Sequence, residues 1–156
     1  MEKMIKPQMI VVIDSRERRP YEFPNSVVKG LPTGDYSLEG LEDKVTVERK
    51  EKSDCYSSLG ANRKRFRKEL ERMAGFDYAA IVIECSLADF LNPPPYSRLS
   101  PKAAINTLIS WSVRYSVHIF FAGDRTYGLG VTYRILEKYW KHKGVIYARS
   151  VVSQSE

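Results

Sequence analysis

The sequence has few of the residues that disulfide frameworks, zinc fingers and histidine-based catalysis require. Only two of its 156 residues are cysteine, Cys55 and Cys85, and only two are histidine, His118 and His142. The cysteines form no CxxC pair and have no metal-finger spacing, which indicates a reducing compartment without a disulfide framework. A His/Cys zinc site or a catalytic histidine is therefore not expected. His118 lies in the apolar run "SVHIFFAG" and is interpreted as a strand residue.

Long apolar runs are also missing. The N-terminal apolar run, residues 9–13, is too short for a signal peptide. No segment approaches the roughly 20 apolar residues of a membrane span. We therefore expect an intracellular protein with no membrane partner, in the cytoplasm or nucleoid, or in the nucleus if the source is eukaryotic.

The composition is that of a globular domain with a basic surface. Hydrophobic residues make up 43% and charged residues 28% of the chain, the formal net charge is +6 and the pI is about 9.3. A basic surface favours anionic partners, with nucleic acid first among them. Charge alone leaves open that this is an ordinary basic protein.

The pattern of apolar residues predicts one α/β domain over residues 1–156, with a largely covered central sheet. Strands are expected at 9–14, 44–50, 78–85 and 117–123, and helices at about 54–73, 101–116 and 126–144. The first helix has a break near Gly60 and Asn62 and a buried stripe of Phe66, Leu70 and Met73. Ser53 or Asp54 is expected to cap it, and residues from about 145 to 156 form a last short strand or a tail.

Three charged residues at the end of the second predicted strand are candidates for chemistry. Glu48 and Lys50 lie two residues apart and share one face of the strand, whereas Arg49 points to the other. Asp35 follows the Gly34 turn, and it converges with Glu48 and Lys50 if the two segments form neighbouring strands. Two carboxylates bind a hard divalent cation, and an adjacent lysine can hold a water or stabilise a phosphate. The alternative is a solvated hairpin face with a Glu48–Lys50 ion pair.

Three motifs in order narrow this choice: "VVIDSRE" (11–17), "LPTGDYSL" (31–38) and "VERKEKSD" (47–54). The combination of an upstream DSRE, then GD, then ERKxxxD resembles the nuclease domain of the XPF family of structure-specific endonucleases. The resemblance covers most of the chain. It implies a restriction-endonuclease-like fold, a three-layer α/β/α arrangement with a mixed central sheet. It also implies Mg²⁺ or Mn²⁺ and cleavage of DNA near a junction, flap or fork.

The same resemblance implies roles for individual residues. The catalytic set is Asp14, Asp35, Glu48 and Lys50. Asp35 and Glu48 are the expected metal ligands, with Asp14 as a further carboxylate, and Lys50 positions water or stabilises the phosphate. Supporting or phosphate-orienting roles fall to Arg16, Glu17, Arg49 and Asp54. Every acid of the pattern is present, which argues against an inactive relative.

A basic stretch, "NRKRFRK" (62–68), is predicted to contact the DNA backbone. The candidates are Arg63, Lys64, Arg65 and Arg67, joined by Arg98 and Lys102, which flank the predicted N-terminus of the helix at Pro101. The alternative is a solvated helix face.

The predicted partners are branched or flapped duplex DNA and a second protein chain, in a homodimer or heterodimer. Family nuclease domains dimerise through helices after the active site, so some late aromatic residues are expected to be partly exposed: Trp111, Tyr115, Tyr133, Tyr139 and Trp140. Family members commonly carry a helix-hairpin-helix module, for which 156 residues leave no room. Two other functions stay open, a non-catalytic DNA-binding partner subunit and a restriction or junction-resolvase type of nuclease.

Overall fold

A computed structural model describes residues 8–144 and 146. Its strands are β1 (Val11–Asp14), β2 (Ser26–Lys29), β3 (Tyr36–Leu38), β4 (Val45–Lys50), β5 (Tyr78–Ile83) and β6 (His118–Phe121). Its α-helices are α1 (Lys52–Leu59), α2 (Arg63–Met73), α3 (Leu87–Phe90), α4 (Pro101–Tyr115) and α5 (Arg125–Tyr139), and α5 continues into a π-helical turn (Trp140–Gly144).

The six strands form one mixed sheet in the order β2-β1-β3-β4-β5-β6. β3 is antiparallel to both of its neighbours, β1 and β4. β1 and β2 pair in parallel, and the three strands β4, β5 and β6 also run parallel to one another. The predicted mixed central sheet is confirmed.

Helices cover both faces of this sheet, as a three-layer α/β/α fold requires. One core packs α1, α2 and α4 against one face, where Ile81 and Ile83 of β5 point. The other core packs α5 against the opposite face, where Val45, Val47 and Val82 point. Strand alternation therefore assigns each β4 residue to one of two separate chemical environments.

Most helix boundaries follow the predicted signals. α1 and α2 are separated at Gly60–Asn62 as predicted, and Phe66, Leu70 and Met73 are buried. The expected cap at Ser53 or Asp54 is wrong, because α1 already begins after Glu51 and both residues lie inside the helix.

Strand β2 was not predicted. It is a short edge strand with mostly exposed side chains, so its sequence carries little apolar alternation. The predicted strand or tail over 145–156 lies outside the described residues, apart from Ile146. Among the helices that the structure describes, none is long and apolar enough to cross a membrane.

Candidate active site

The sheet register places Asp35 next to β4. The backbone N–H of Asp35 donates to the Val47 carbonyl at 2.9 Å, and the Asp35 carbonyl accepts from the Asp14 N–H at 2.8 Å. Gly34 makes this approach possible, because its φ is +80° and a methyl group there would collide with the Thr46 hydroxyl. Steric exclusion of a side chain at position 34 therefore explains why the GD pair begins with glycine.

A polar cavity of about 300 Å³ opens between the start of β3, the end of β4 and α1. Most of the residues predicted for the site line it. The lining residues are Glu17, Asp35, Glu48, Arg49, Lys50, Asp54, Ser57, Ser58 and Asn62. We call this the acid cavity.

The carboxylate of Asp35 lies inside the acid cavity, where one oxygen accepts a hydrogen bond from the Arg49 backbone N–H at 2.8 Å. Burial raises the pKa of Asp35 to about 7, and the negative charges of Glu17 and Glu69 act in the same direction. The Arg49 N–H opposes this shift without cancelling it. Burial and the neighbouring acids thus disfavour the charged form of the Asp35 carboxyl.

The pKa of Glu48 is raised for similar reasons. Burial, the charge of Asp35, and the charge of Glu69 together with its hydrogen bond hold the pKa of Glu48 well above its usual range. Glu69 was missed by sequence reasoning. It lies three residues after Phe66, on the apolar side of α2. An acid on that side of the helix could have indicated that Glu69 faces the site.

Lys50 lies beside these acids on the same face of β4, as predicted. Its ammonium is 3.8 Å from Glu48 Oε1 and donates to Ser58 Oγ at 3.0 Å. It also lies 4.7 Å from the centre of the Phe66 ring, so three neighbours fix the position of the charge.

Arg49 points to the opposite face, toward α5, and the structure supplies the acid partners that the sequence did not identify. Its side chain, 8% exposed, is 2.8 Å from Glu84 Oε1, 3.1 Å from Glu51 Oε1 and 3.7 Å from Glu17 Oε1. Glu84 is 5% exposed and also accepts a hydrogen bond from the Tyr21 hydroxyl at 2.7 Å. A buried charge network therefore lies directly behind the acid cavity.

Glu84 was also missed by sequence reasoning. It follows the apolar strand β5 just as Asp14 ends β1, and an acid at that strand end was the signal. Gly128 of α5 packs against this network, since a methyl group there would contact the Tyr21 hydroxyl and the Glu84 side chain.

Asp14 and Arg16 lie next to the acid cavity but do not line it. The Asp14 carboxylate accepts from the Leu31 N–H at 2.9 Å and from Arg16 Nε at 3.0 Å. Arg16 in turn donates to the Leu31 carbonyl at 2.8 Å. In this arrangement both residues hold the loop that precedes β3.

The donor atoms of the acid cavity suit a hard divalent cation. Among residues 8–144 and 146, no group of three or more His, Cys, Asp or Glu is arranged to hold a metal ion. Mg²⁺ nevertheless retains several waters and uses one or two protein carboxylates. Asp35 and Glu48 fit that requirement, because both carboxyl groups line the same polar cavity and a cation there would favour their charged forms.

The predicted DNA-contacting residues lie along α2, in the proline-rich loop before α4 and in the first turn of α4. Lys64 and Arg65 are exposed, as are Arg98 and Lys102. Arg63 lies 4.8 Å from the Trp111 ring and donates to Thr107 Oγ1, so it also packs α2 against α4. Arg67 donates to the Tyr115 hydroxyl at 3.2 Å.

Among the late aromatic residues, Tyr133 and Trp140 are partly exposed, as expected, whereas Trp111, Tyr115 and Tyr139 are buried. Alongside α5, an apolar cavity of about 660 Å³ is lined by Tyr78, Phe120, Tyr127, Val131 and Ile135, among others.

The chain is similar in structure to two solved structures of XPF from Aeropyrum pernix. One is 23% identical with a TM-score of 0.65 and is matched over 86% of this chain and 63% of that chain. The other, a complex with DNA, is 22% identical with a TM-score of 0.67, over 86% of this chain and 66% of that chain. The match spans less than two thirds of those chains and confirms the predicted fold. No curated protein matches the chain.

A family model matches most of the chain. The model of the ERCC4 domain covers residues 13–135, which include every strand from the end of β1 to β6 and most of α5. The matched part contains the GD pair and the ERKxxxD motif. The chain therefore belongs to the ERCC4 domain family, the family of the XPF nucleases.

Proposed function

We propose that this protein is a metal-dependent endonuclease that hydrolyses phosphodiester bonds in branched, flap or fork DNA. The observation that carries the proposal is the placement of Asp35, Glu48 and Lys50 in one polar cavity. Family membership supports DNA as the substrate. Cleavage of labelled branched DNA in Mg²⁺, compared with EDTA, tests it.

Asp35 and Glu48 would hold Mg²⁺ or Mn²⁺ through their carboxylate oxygens. When bound, such a cation acts as a Lewis acid on the phosphate and makes a bound water more acidic. The Arg49 backbone N–H fixes the orientation of Asp35. The Lys50 ammonium holds the attacking water or stabilises negative charge on the phosphate, and Ser58 and Glu48 keep it in place.

The raised carboxyl pKa values favour catalysis over a non-catalytic DNA-binding role. Burial of Asp35 and Glu48 near each other works against their ionisation. Perturbed carboxyl pKa values of this kind are common where a cation or a proton transfer is part of the mechanism.

Divalent cations should stabilise the protein more strongly as pH rises. Between the ordinary pKa of 3.8 and the folded value of about 7, the folded state keeps a proton on Asp35 that the unfolded chain has lost. Stability from this group therefore falls as pH rises through that window, and a bound cation compensates above it. We expect saturating Mn²⁺ to raise the melting temperature by about 5 °C or more at pH 8 and by less at pH 5.

Thermal denaturation with and without Mn²⁺ measures this difference. Asp35→Asn should remove the Mn²⁺ shift at pH 8, whereas Asp43→Asn, at an exposed acid outside the cavity, should keep it. Equal shifts at both pH values would contradict the assignment of Asp35 as a ligand.

Lys64 and Arg65 should bind DNA phosphates without taking part in cleavage. Each phosphate contact releases about one counterion, so Lys64→Ala or Arg65→Ala should reduce the slope of log affinity against log salt by about 1. Cleavage at saturating DNA should be unchanged. The matched control is Arg134→Ala. Arg134 has a side chain that is 72% exposed, and it lies on α5, which covers the opposite face of the sheet. If all three variants have the wild-type slope, α2 is only a solvated face.

The apolar cavity beside α5 is the surface that best fits the predicted dimer contact. Its surface is mostly aromatic and aliphatic, although two lysines, an arginine and a histidine also line it, and Tyr127 is 67% exposed there. Large exposed apolar patches are typical of protein–protein contacts. Dimerisation, with a second copy or with a related chain, stays a prediction.

A further inference from the structure

A second cavity, of about 650 Å³, lies beside the acid cavity. One wall is α1, with Ser53, Tyr56 and Ser57, and the other is the loop of residues 94–99. Ser57 lines both cavities, so a DNA strand leaving the acid cavity on this side meets the loop next. The volume lies within the range of small-ligand sites.

Tyr96 is presented on this loop in an unusual way. Its side chain is fully exposed, at 102%, and its backbone has a φ of +67°. A bulky residue in that left-handed region is uncommon, because the side chain crowds the backbone. A tyrosine whose ring has no packing role in the described structure therefore occupies a backbone position that disfavours it.

The loop around Tyr96 is stiff. Three consecutive prolines precede it, residues 93–95, and each has a fixed φ. The Ser97 N–H donates to the Pro94 carbonyl at 3.2 Å, and Ser97 Oγ accepts from the Leu99 N–H at 3.3 Å. Because the loop is already ordered, little conformational entropy is lost when a ligand packs on the ring.

The charge of the cavity limits what can bind there. None of the residues that line it is acidic, and its one cation is Arg98, which is exposed. The remaining polar side chains are hydroxyl groups: Ser53, Tyr56, Ser57, Tyr96 and Ser97. An exposed aromatic ring beside one arginine suits a flat ring that carries a negative phosphate, which is the chemistry of a nucleotide.

We propose that Tyr96 stacks on an unpaired nucleobase next to the branch point of the substrate, while Arg98 contacts the adjoining phosphate. This inference rests on the proposed function, because it assumes that the acid cavity takes the scissile phosphate. Stacking needs no particular base, since every base has an aromatic face. Tyr96 thereby distinguishes DNA with an unpaired strand from intact duplex.

Binding in EDTA to two DNAs tests this inference. The first carries a single-stranded flap with 2-aminopurine beside the branch, and the second is the same duplex with only a nick. Tyr96→Ala should bind the flap about 5- to 150-fold more weakly and the nicked duplex as wild type does. Tyr96→Phe retains the stacking ring and should match wild type on both. The wild type and Tyr96→Phe should quench the 2-aminopurine fluorescence, and Tyr96→Ala should not.

Two results would overturn the inference: wild-type affinity of Tyr96→Ala for the flap, or an equal loss on both DNAs. These outcomes are separable from failure of the proposed function, because binding is measured without cleavage. A wild type that cuts branched DNA while Tyr96→Ala shows no binding defect refutes only the stacking role. A wild type that shows the stacking signature but cuts nothing in Mg²⁺ refutes only the nuclease assignment.

Discussion

Asp35→Asn and Lys50→Ala are each expected to lower the rate of DNA cleavage by at least about 1,000-fold, with DNA affinity largely retained. Asparagine is isosteric with aspartate but lacks the charge that a divalent cation needs. Alanine at position 50 removes the ammonium that lies 3.8 Å from Glu48 Oε1. Single-turnover cleavage at saturating DNA measures the chemical step apart from binding.

Two substitutions outside the cavity are matched controls. Asp43→Asn and Lys141→Ala remove the same charges from exposed positions and should cut at the wild-type rate. Thermal denaturation of every variant excludes misfolding as the reason for lost activity. If both Asp35→Asn and Lys50→Ala still cut, the catalytic site lies elsewhere.

Arg49→Ala is expected to destabilise the protein by about 3–5 kcal/mol. The substitution removes the cation that Glu84 and Glu17 share, and these side chains are only 5% and 9% exposed. The buried Glu17 carboxylate then loses this ion pair, and Glu84 keeps only the Tyr21 hydroxyl and the more distant Arg125, 3.9 Å away. Burial also works against the Arg49 charge, yet Glu84 and Glu17 more than offset this and raise the pKa of the guanidinium. Denaturant unfolding at pH 7 measures the loss.

A second substitution separates the charge network from simple loss of packing. Glu84→Gln removes the nearest acid, so adding it to Arg49→Ala should recover part of the lost stability, a coupling that a double-mutant cycle measures. Arg134→Ala, at an exposed ion pair with Glu137, should change stability by no more than about 0.5 kcal/mol. A loss below about 1 kcal/mol for Arg49→Ala would contradict the role of this network.

The centre of the candidate site could be predicted because it depends on local rules. The two-residue period of a strand places Glu48 and Lys50 on one face, and the glycine turn before Asp35 brings a second acid to β4. The family motif then related these positions to each other. The family resemblance implied the mixed sheet, and the sequence pattern predicted the separation of α1 from α2.

Contacts between distant segments could not be predicted. Glu69 reaches Glu48 only because α2 packs on the face of the sheet to which Glu48 points. Arg49 meets Glu84 only because β4 and β5 pair in a particular register. Neither contact can be read from the local sequence pattern, because each joins residues that are far apart along the chain. β2 escaped prediction for a different reason, because an exposed edge strand needs little apolar alternation.

Cleavage of a panel of labelled DNAs in Mg²⁺ and in EDTA tests the central claim most directly. The panel comprises a flap, a fork, a four-way junction and a linear duplex of the same sequence. We predict cutting of at least one branched DNA near its branch point, dependent on Mg²⁺ or Mn²⁺, with the linear duplex left intact. Absence of metal-dependent cleavage of every DNA in the panel would contradict the nuclease assignment.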